Sequence, residues 1–227
     1  MNRRMLLAAV AACGLFPALA QATVLTFQGL GTNTMIPEGY GDAVSAAGPA
    51  VLMGNGFTPN VSVDFLPNGG DGFQTYNDPD WQAAQLDGSP PEGYFDVVFT
   101  PDDGYAVIVN SFEFDDYAEF AEGHTFDWSL IGNGKQLAGA TGVVVDPDMT
   151  TDPTGADNMV VNTGMTAPFA GALTLRITPT SGDPFDRAID DVNFDQRVVP
   201  EPGTIGMAAG CGALALLRRR RPTRVTA

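Results

Sequence analysis

Apolar and polar residues alternate one by one along several short stretches of this chain, and that period narrows the choice of fold sharply. Val61, Val63 and Phe65 interleave with Ser62 and Asp64, while Leu173, Leu175 and Ile177 interleave with Thr174, Arg176 and Thr178. A period of two places the two sets on opposite faces of a β-strand, one buried and one wet. Runs of this kind, rich in Val, Ile, Phe and Thr, fall at 24–28, 61–66, 94–100, 105–114, 125–131, 136–146, 158–161, 172–177 and 188–194. Turn formers separate them, as in Pro67-Asn68-Gly69-Gly70, Pro101-Asp102-Asp103-Gly104 and Gly132-Asn133-Gly134, where Gly, Asn and Asp tolerate the backbone angles a reversal needs. No stretch between Thr23 and Pro200 carries the spacing of an amphipathic helix of useful length. The pattern predicts an all-β body, an antiparallel β-sandwich or jelly roll, folded as one domain.

Both ends break this pattern. Arg3 and Arg4 precede an apolar stretch at 5–15, and Ala18-Leu19-Ala20-Gln21-Ala22 follows. A positive start, a short apolar middle and small residues in alternation make a secretory signal peptide. Both Ala18/Ala20 and Ala20/Ala22 fit the A-x-A cleavage pattern, and a cut after Ala22 is preferred because Thr23 then opens the mature chain as a strand. At the other end Val199-Pro200-Glu201-Pro202 leads into an uncharged run at 203–217 and then Arg218-Arg219-Arg220-Arg221. The two prolines stop the preceding element, since each fixes φ and lacks an N–H. Arginines beside an apolar span stay on the cytoplasmic side. The span is short: fifteen residues of helix reach roughly 22 Å, against about 30 Å of hydrocarbon. Including Pro202 and letting the arginines snorkel recovers some length. A short, glycine-containing span suits a temporary anchor.

Removing these ends changes what the composition means. The chain is formally −16, yet seven of its eleven basic residues lie in the two end segments. Between Thr23 and Pro200 only Lys135, Arg176, Arg187 and Arg197 stand against 26 acids, a net charge of −22. Such a surface repels nucleic acid and anionic lipid, which excludes a nucleic-acid role. Cys13 and Cys211 also fall in the end segments, so the body has no thiol, no disulfide and no cysteine-based metal site.

The order of Val199-Pro200-Glu201-Pro202, an apolar helix at 203–217 and a basic end at 218–221 resembles the PEP-CTERM sorting tail of Gram-negative envelope proteins. The resemblance implies recognition by an exosortase, with Val199, Pro200, Glu201, Pro202 and Arg218, Arg219, Arg220, Arg221 as the sorting residues. It also implies passage through the secretion machinery, a transient stay in the inner membrane, and delivery to a cell surface or extracellular matrix associated with exopolysaccharide and biofilm. The chain then divides into a signal peptide at 1–22, a β-sandwich ectodomain at 23–197 and a sorting tail at 198–227. Within the body, the opening Thr23–Leu30 stretch, Tyr40-Gly41-Asp42, the stretch from Gly54 to Val61 and the closing Ala188–Phe194 stretch resemble an ectodomain that recurs upstream of such tails. The closing strand is also similar to the last strand of carbohydrate-binding jelly rolls, where an acid helps to hold a structural calcium near the first strand. Carried over, that names Asp190 and Asp191 as calcium ligands with Gln28 as partner. Gln28 stands where many relatives carry an acid.

Other chemistry is weighed from the residues alone. Calcium takes six to eight oxygens, and strand alternation lets only one of Asp190 and Asp191 point at any one site. Further acid groups lie at Asp78/Asp80, Asp115/Asp116 and Asp146/Asp148/Asp152, none in EF-hand spacing. A melting midpoint indifferent to chelator would remove the cation from the account. The long connections at 29–60 and 67–93 are candidate binding loops, and Tyr76, Trp81 and Tyr94 are candidate platforms for sugar rings. Trp128 alternates with Asp127 and Ser129 beside Phe126 and Leu130, and so belongs to the core. The single histidine, His124, follows Glu122-Gly123 at a turn, and no G-x-S-x-G motif is present. The reading is therefore a non-catalytic structural or adhesive module. A carbohydrate-binding module is the alternative, and a glycosidase-like enzyme built on a carboxylate pair stands behind it.

Overall fold

The computed structural model of the protein describes residues 21–27, 30–45, 55–67, 72–75, 84–87, 93–117, 125–145, 156–181 and 187–199. These residues form β1 (Gln21–Leu25), β2 (Asn55–Phe57), β3 (Val61–Pro67), β4 (Gly72–Thr75), β5 (Ala84–Asp87) and β6 (Phe95–Pro101). The remaining strands are β7 (Tyr105–Tyr117), β8 (Thr125–Gly132), β9 (Lys135–Val144), β10 (Ala156–Asn162), β11 (Leu173–Pro179) and β12 (Arg187–Val198). There is no helix among the described residues, so none there is long and apolar enough to cross a membrane. The expected helices at 1–22 and 203–217 lie outside the described residues, apart from Gln21 and Ala22 in β1.

All pairings between these strands are antiparallel, in two sheets. One has the order β10-β7-β12-β1-β2, with β5 also on β12 and β4 on β5; the other has the order β3-β6-β11-β8-β9. Alternation delivers the core as expected. Phe126, Trp128 and Leu130 of β8 are buried between half-buried neighbours, and Leu173, Leu175 and Ile177 of β11 repeat the pattern. The buried side chains of both sheets form one apolar cluster. Aromatic contacts cross from sheet to sheet, among them Phe99 to Phe194 at 4.9 Å, Phe112 to Trp128 at 5.8 Å, and Phe114 stacked on Phe126 at 4.0 Å.

Several boundaries differ from the expectation for physical reasons. The first strand was expected at 24–28 but runs over Gln21–Leu25, because Phe27 turns out of the sheet with φ +52°. A phenylalanine rarely adopts that angle; here its N–H donates to the Tyr40 hydroxyl at 2.8 Å, which holds the turn. Inside the long connections lie three strands that alternation does not reveal. β2 is made by pairing with β1, β5 by pairing with β12, and β4 by pairing with β5.

The residues of the Tyr40-Gly41-Asp42 element fasten the 37–44 segment across the ends of both sheets. Tyr40 caps Phe27, Gly41 packs on Leu25 and Val63, and the Asp42 carboxylate accepts the Val63 N–H at 2.5 Å.

Candidate functional site

Two places on this frame gather polar chemistry, and the first is a notch in the larger sheet. One edge of β12 pairs with β5 at Ala188 and Ile189, then with β1 at Val192, Asn193 and Phe194. Asp190 and Asp191 fall where the neighbour changes. Along the other edge, Asp190 lies opposite Glu113 and Asn193 opposite Ser111, so β12 carries an extra residue there. The next pair is Phe194 with Val109, so β7 carries its own extra residue and the register is restored. The Asn110 amide donates to the Asn193 side-chain oxygen at 2.9 Å across this double bulge.

The bulge corrects the expectation drawn from alternation. Ile189 and Val192 are both fully buried, so Asp190 and Asp191 both lie outside the core instead of on opposite faces. A bulge shifts the phase of the pleat in this way and re-aims side chains. Asp191 adopts φ +44°, and its N–H donates to Asp190 Oδ1 at 2.7 Å.

The notch sits beside the end of β1, as the calcium resemblance requires, but Gln28 lies outside the described residues. Among the described residues no three His, Cys, Asp or Glu come together to hold a metal. Two carboxylates, one already accepting a backbone N–H, fall well short of a calcium shell. No step is assigned to a cation.

Tyr40 is the buried group of this notch. Burial pushes its phenol up to about 12, the Asp190 charge adds to the rise, and the Phe27 N–H bond opposes it. Burial also raises the Asp191 carboxyl above its ordinary value, although its side chain reaches solvent. A raised folded-state pKa means that the folded chain holds this proton more tightly than the unfolded one. The linked stability is present below the ordinary carboxylate range and is lost as pH climbs toward neutrality. Asp191→Asn is therefore expected to raise the urea midpoint slightly at pH 7 and to leave it unchanged near pH 3. Asparagine also tolerates a positive φ. Solvent screening keeps the gain small, and a loss at pH 7 would contradict the assignment.

The second place is a cavity of about 320 Å³ between residues 35–39 and β3, lined by Met35, Ile36, Glu38, Asp64, Phe65 and Phe73 among others. The 34–36 segment is held against β4 by Ile36 N–H to Phe73 O at 2.8 Å and Thr75 N–H to Thr34 O at 2.9 Å. Behind the opening runs a ladder of rings: Phe27 to Phe65 at 5.6 Å, Phe65 to Phe73 at 5.6 Å and Phe73 to Phe95 at 5.5 Å. Met35 and Leu66 stand exposed at the rim, and Glu38 and Asp64 reach solvent beside them. The lining mixes apolar side chains with the Glu38 and Asp64 carboxylates; of the rings behind it, Phe65 is half-buried, and Phe27, Phe73 and Phe95 are buried.

Of the three aromatics expected to stack on sugars, Tyr76 and Trp81 lie outside the described residues. Tyr94 is described, and the Arg176 guanidinium covers its ring at 3.7 Å from the centroid. Arg176 in turn grips Asp96 through Nε to Oδ1 at 2.8 Å and Nη2 to Oδ2 at 2.6 Å. The covered face of Tyr94 is thus engaged within the protein. Trp128 is buried in the core, as its alternation indicates.

Of the sorting residues, Val199 is described, and its N–H donates to Gly104 O at 2.8 Å. Pro200, Glu201, Pro202 and Arg218–Arg221 lie outside the described residues, as do His124, Asp78, Asp80, Asp146, Asp148 and Asp152. The backbone of β7 carries Asp115 and Asp116 opposite Asn158 and Asp157 of β10.

Sequence reasoning placed Phe65 in a strand and Phe73 in a loop and joined neither to a cavity. Tyr40, in its glycine-flanked element, stacks on Phe27 at 5.2 Å, a fold-back that no sequence pattern declares. No protein-family model matches the chain, and no curated protein matches it.

Proposed function

We propose that the protein is an exported, non-catalytic envelope module: a β-sandwich of jelly-roll type, anchored briefly by a C-terminal helix and sorted through its Pro-Glu-Pro tail to a polysaccharide-rich surface layer. The observation that carries this reading is where the last described strand ends relative to the motif. β12 runs to Val198, the Val199 N–H donates to Gly104 O, and Pro200-Glu201-Pro202 come next in the sequence. The motif thus begins directly after a strand of the sheet, where a proline, lacking an N–H, cannot extend the pairing. The acidic body, with a net charge of −22 between Thr23 and Pro200, stays soluble and avoids the anionic lipid surface it leaves.

A second reading, a carbohydrate-binding module, is favoured by the ring-backed cavity and its two carboxylates. One fractionation tests both. The wild-type chain is expected first in the inner membrane and later with the extracellular polysaccharide, whereas a chain ending at Val199 skips the membrane stage. Leu66 is half exposed at the cavity rim, so Leu66→Ala leaves folding largely intact. If that variant separates from the polysaccharide, the binding reading is chosen; if it stays, the structural role is chosen. Wild-type protein confined to the cytosol would overturn the proposal.

A further inference from the structure

We infer that the export signal is cut after Ala20, so that the mature chain begins at Gln21; this rests on the exported reading above. Two A-x-A frames compete in the sequence, Ala18/Ala20 and Ala20/Ala22, and the fold distinguishes them. Among the described residues the first strand already includes Gln21 and Ala22, ahead of Thr23. Its register with β2 is held at Gln21 opposite Phe57 and Val24 opposite Asn55, and β1 is the only sheet neighbour of β2 among the described residues. A chain beginning at Thr23 keeps one of those two positions.

Gly56 makes the same point from the other side. It adopts φ +148°, and a Cβ there would overlap the Ala22 carbonyl oxygen and Thr23 Cα and stand 2.6 Å from Thr23 Oγ1. The β2 backbone therefore lies directly on the Ala22–Thr23 peptide, an approach only glycine permits. The Ala22 part of that contact exists only while Ala22 belongs to the folded chain.

Charge gives the third argument. Thr23 is fully buried between β12 and β2, with Oγ1 2.8 Å from Thr58 Oγ1. Cutting after Ala22 would create an ammonium at this nitrogen, inside the strand pairing, and enclosing a charge is costly unless it is well paired. Cutting after Ala20 puts the ammonium on the first residue of the strand. Glutamine in that position has a further consequence. Its free α-amine attacks its own side-chain amide carbon, a C–N bond forms and ammonia leaves, so the mature N-terminus becomes a neutral lactam with no co-reactant.

Mass spectrometry of the N-terminal peptide of the exported protein tests this, together with an Ala18→Leu variant. The wild type is expected to start at Gln21, either as the free amine or lighter by one ammonia, and Ala18→Leu is expected to lose the Gln21 start, leaving uncut precursor or a start shifted to Thr23. Residue 18 is absent from the mature chain under either cut, so the variant acts through processing alone. A start at Thr23, with Ala18→Leu processed like wild type, overturns the inference and leaves export standing. Protein that still carries Met1 overturns the export reading and this inference with it.

Discussion

Phe194→Ala is expected to lower folding stability by about 3–5 kcal/mol. Phe194 is fully buried in β12, the strand that pairs with β7, β1 and β5, and its ring meets Phe99 of the opposite sheet at 4.9 Å. Truncation removes the transfer energy of the ring and leaves a cavity between two sheets that hydrogen bonding holds in place, so the site relaxes little. There is no disulfide among the described residues, which contain neither Cys13 nor Cys211. A loss of this size is comparable to the whole stability of many domains, so Phe194→Leu gives a milder companion that stays folded. Urea unfolding is the measurement. A double-mutant cycle with Phe99→Ala should show coupling of about 0.5–1.5 kcal/mol. A cost below about 1 kcal/mol for Phe194→Ala would mean that the two sheets do not pack through this ring.

Arg176→Met is expected to cost about 2–3 kcal/mol by the same measurement. The Asp96 carboxylate is nearly buried and receives both of its side-chain bonds from the Arg176 fork. Methionine keeps most of the aliphatic stem but strands that carboxylate on β6 without a cation. Removing one partner of a buried pair costs about 3–5 kcal/mol, and the part-exposure of Arg176 lowers the figure because water reaches its side. The stack on Tyr94 is lost as well, a contribution of about 0.5–1 kcal/mol at such a site. Arg176→Lys restores the charge but not the planar fork, so it should recover only part of the loss. A Met variant as stable as wild type would show the pair to be solvated in practice.

What could be read from the sequence follows a physical line. β3, β8 and β11 declare themselves because one face of each is buried and the other wetter, so the period of two is written into the residues. β2, β4 and β5 do not: Asn55-Gly56-Phe57, Gly72–Thr75 and Ala84–Asp87 are three or four residues long and owe their extended form to the strand beside them. The double bulge had a faint signature. Ile189 and Val192 are three apart where a regular strand would space its buried residues by two, and that extra residue is the bulge that turns both acids outward. The cover on Tyr94 was invisible, since it depends on the register that sets Arg176 opposite Asp96. The cavity was equally hidden, because its walls come from the 35–39 segment, β3 and Phe73 of β4, brought together by hydrogen bonds between segments distant in sequence.

The arginine tail remains the part of the chain that speaks most directly about its destination, and its fate can be read from one mass. Intact-mass and C-terminal peptide analysis of the protein recovered outside the cell should show a chain that ends near Pro200–Gly203 and lacks Arg218–Arg221. A secreted protein that still carries the four arginines would contradict tail-directed sorting.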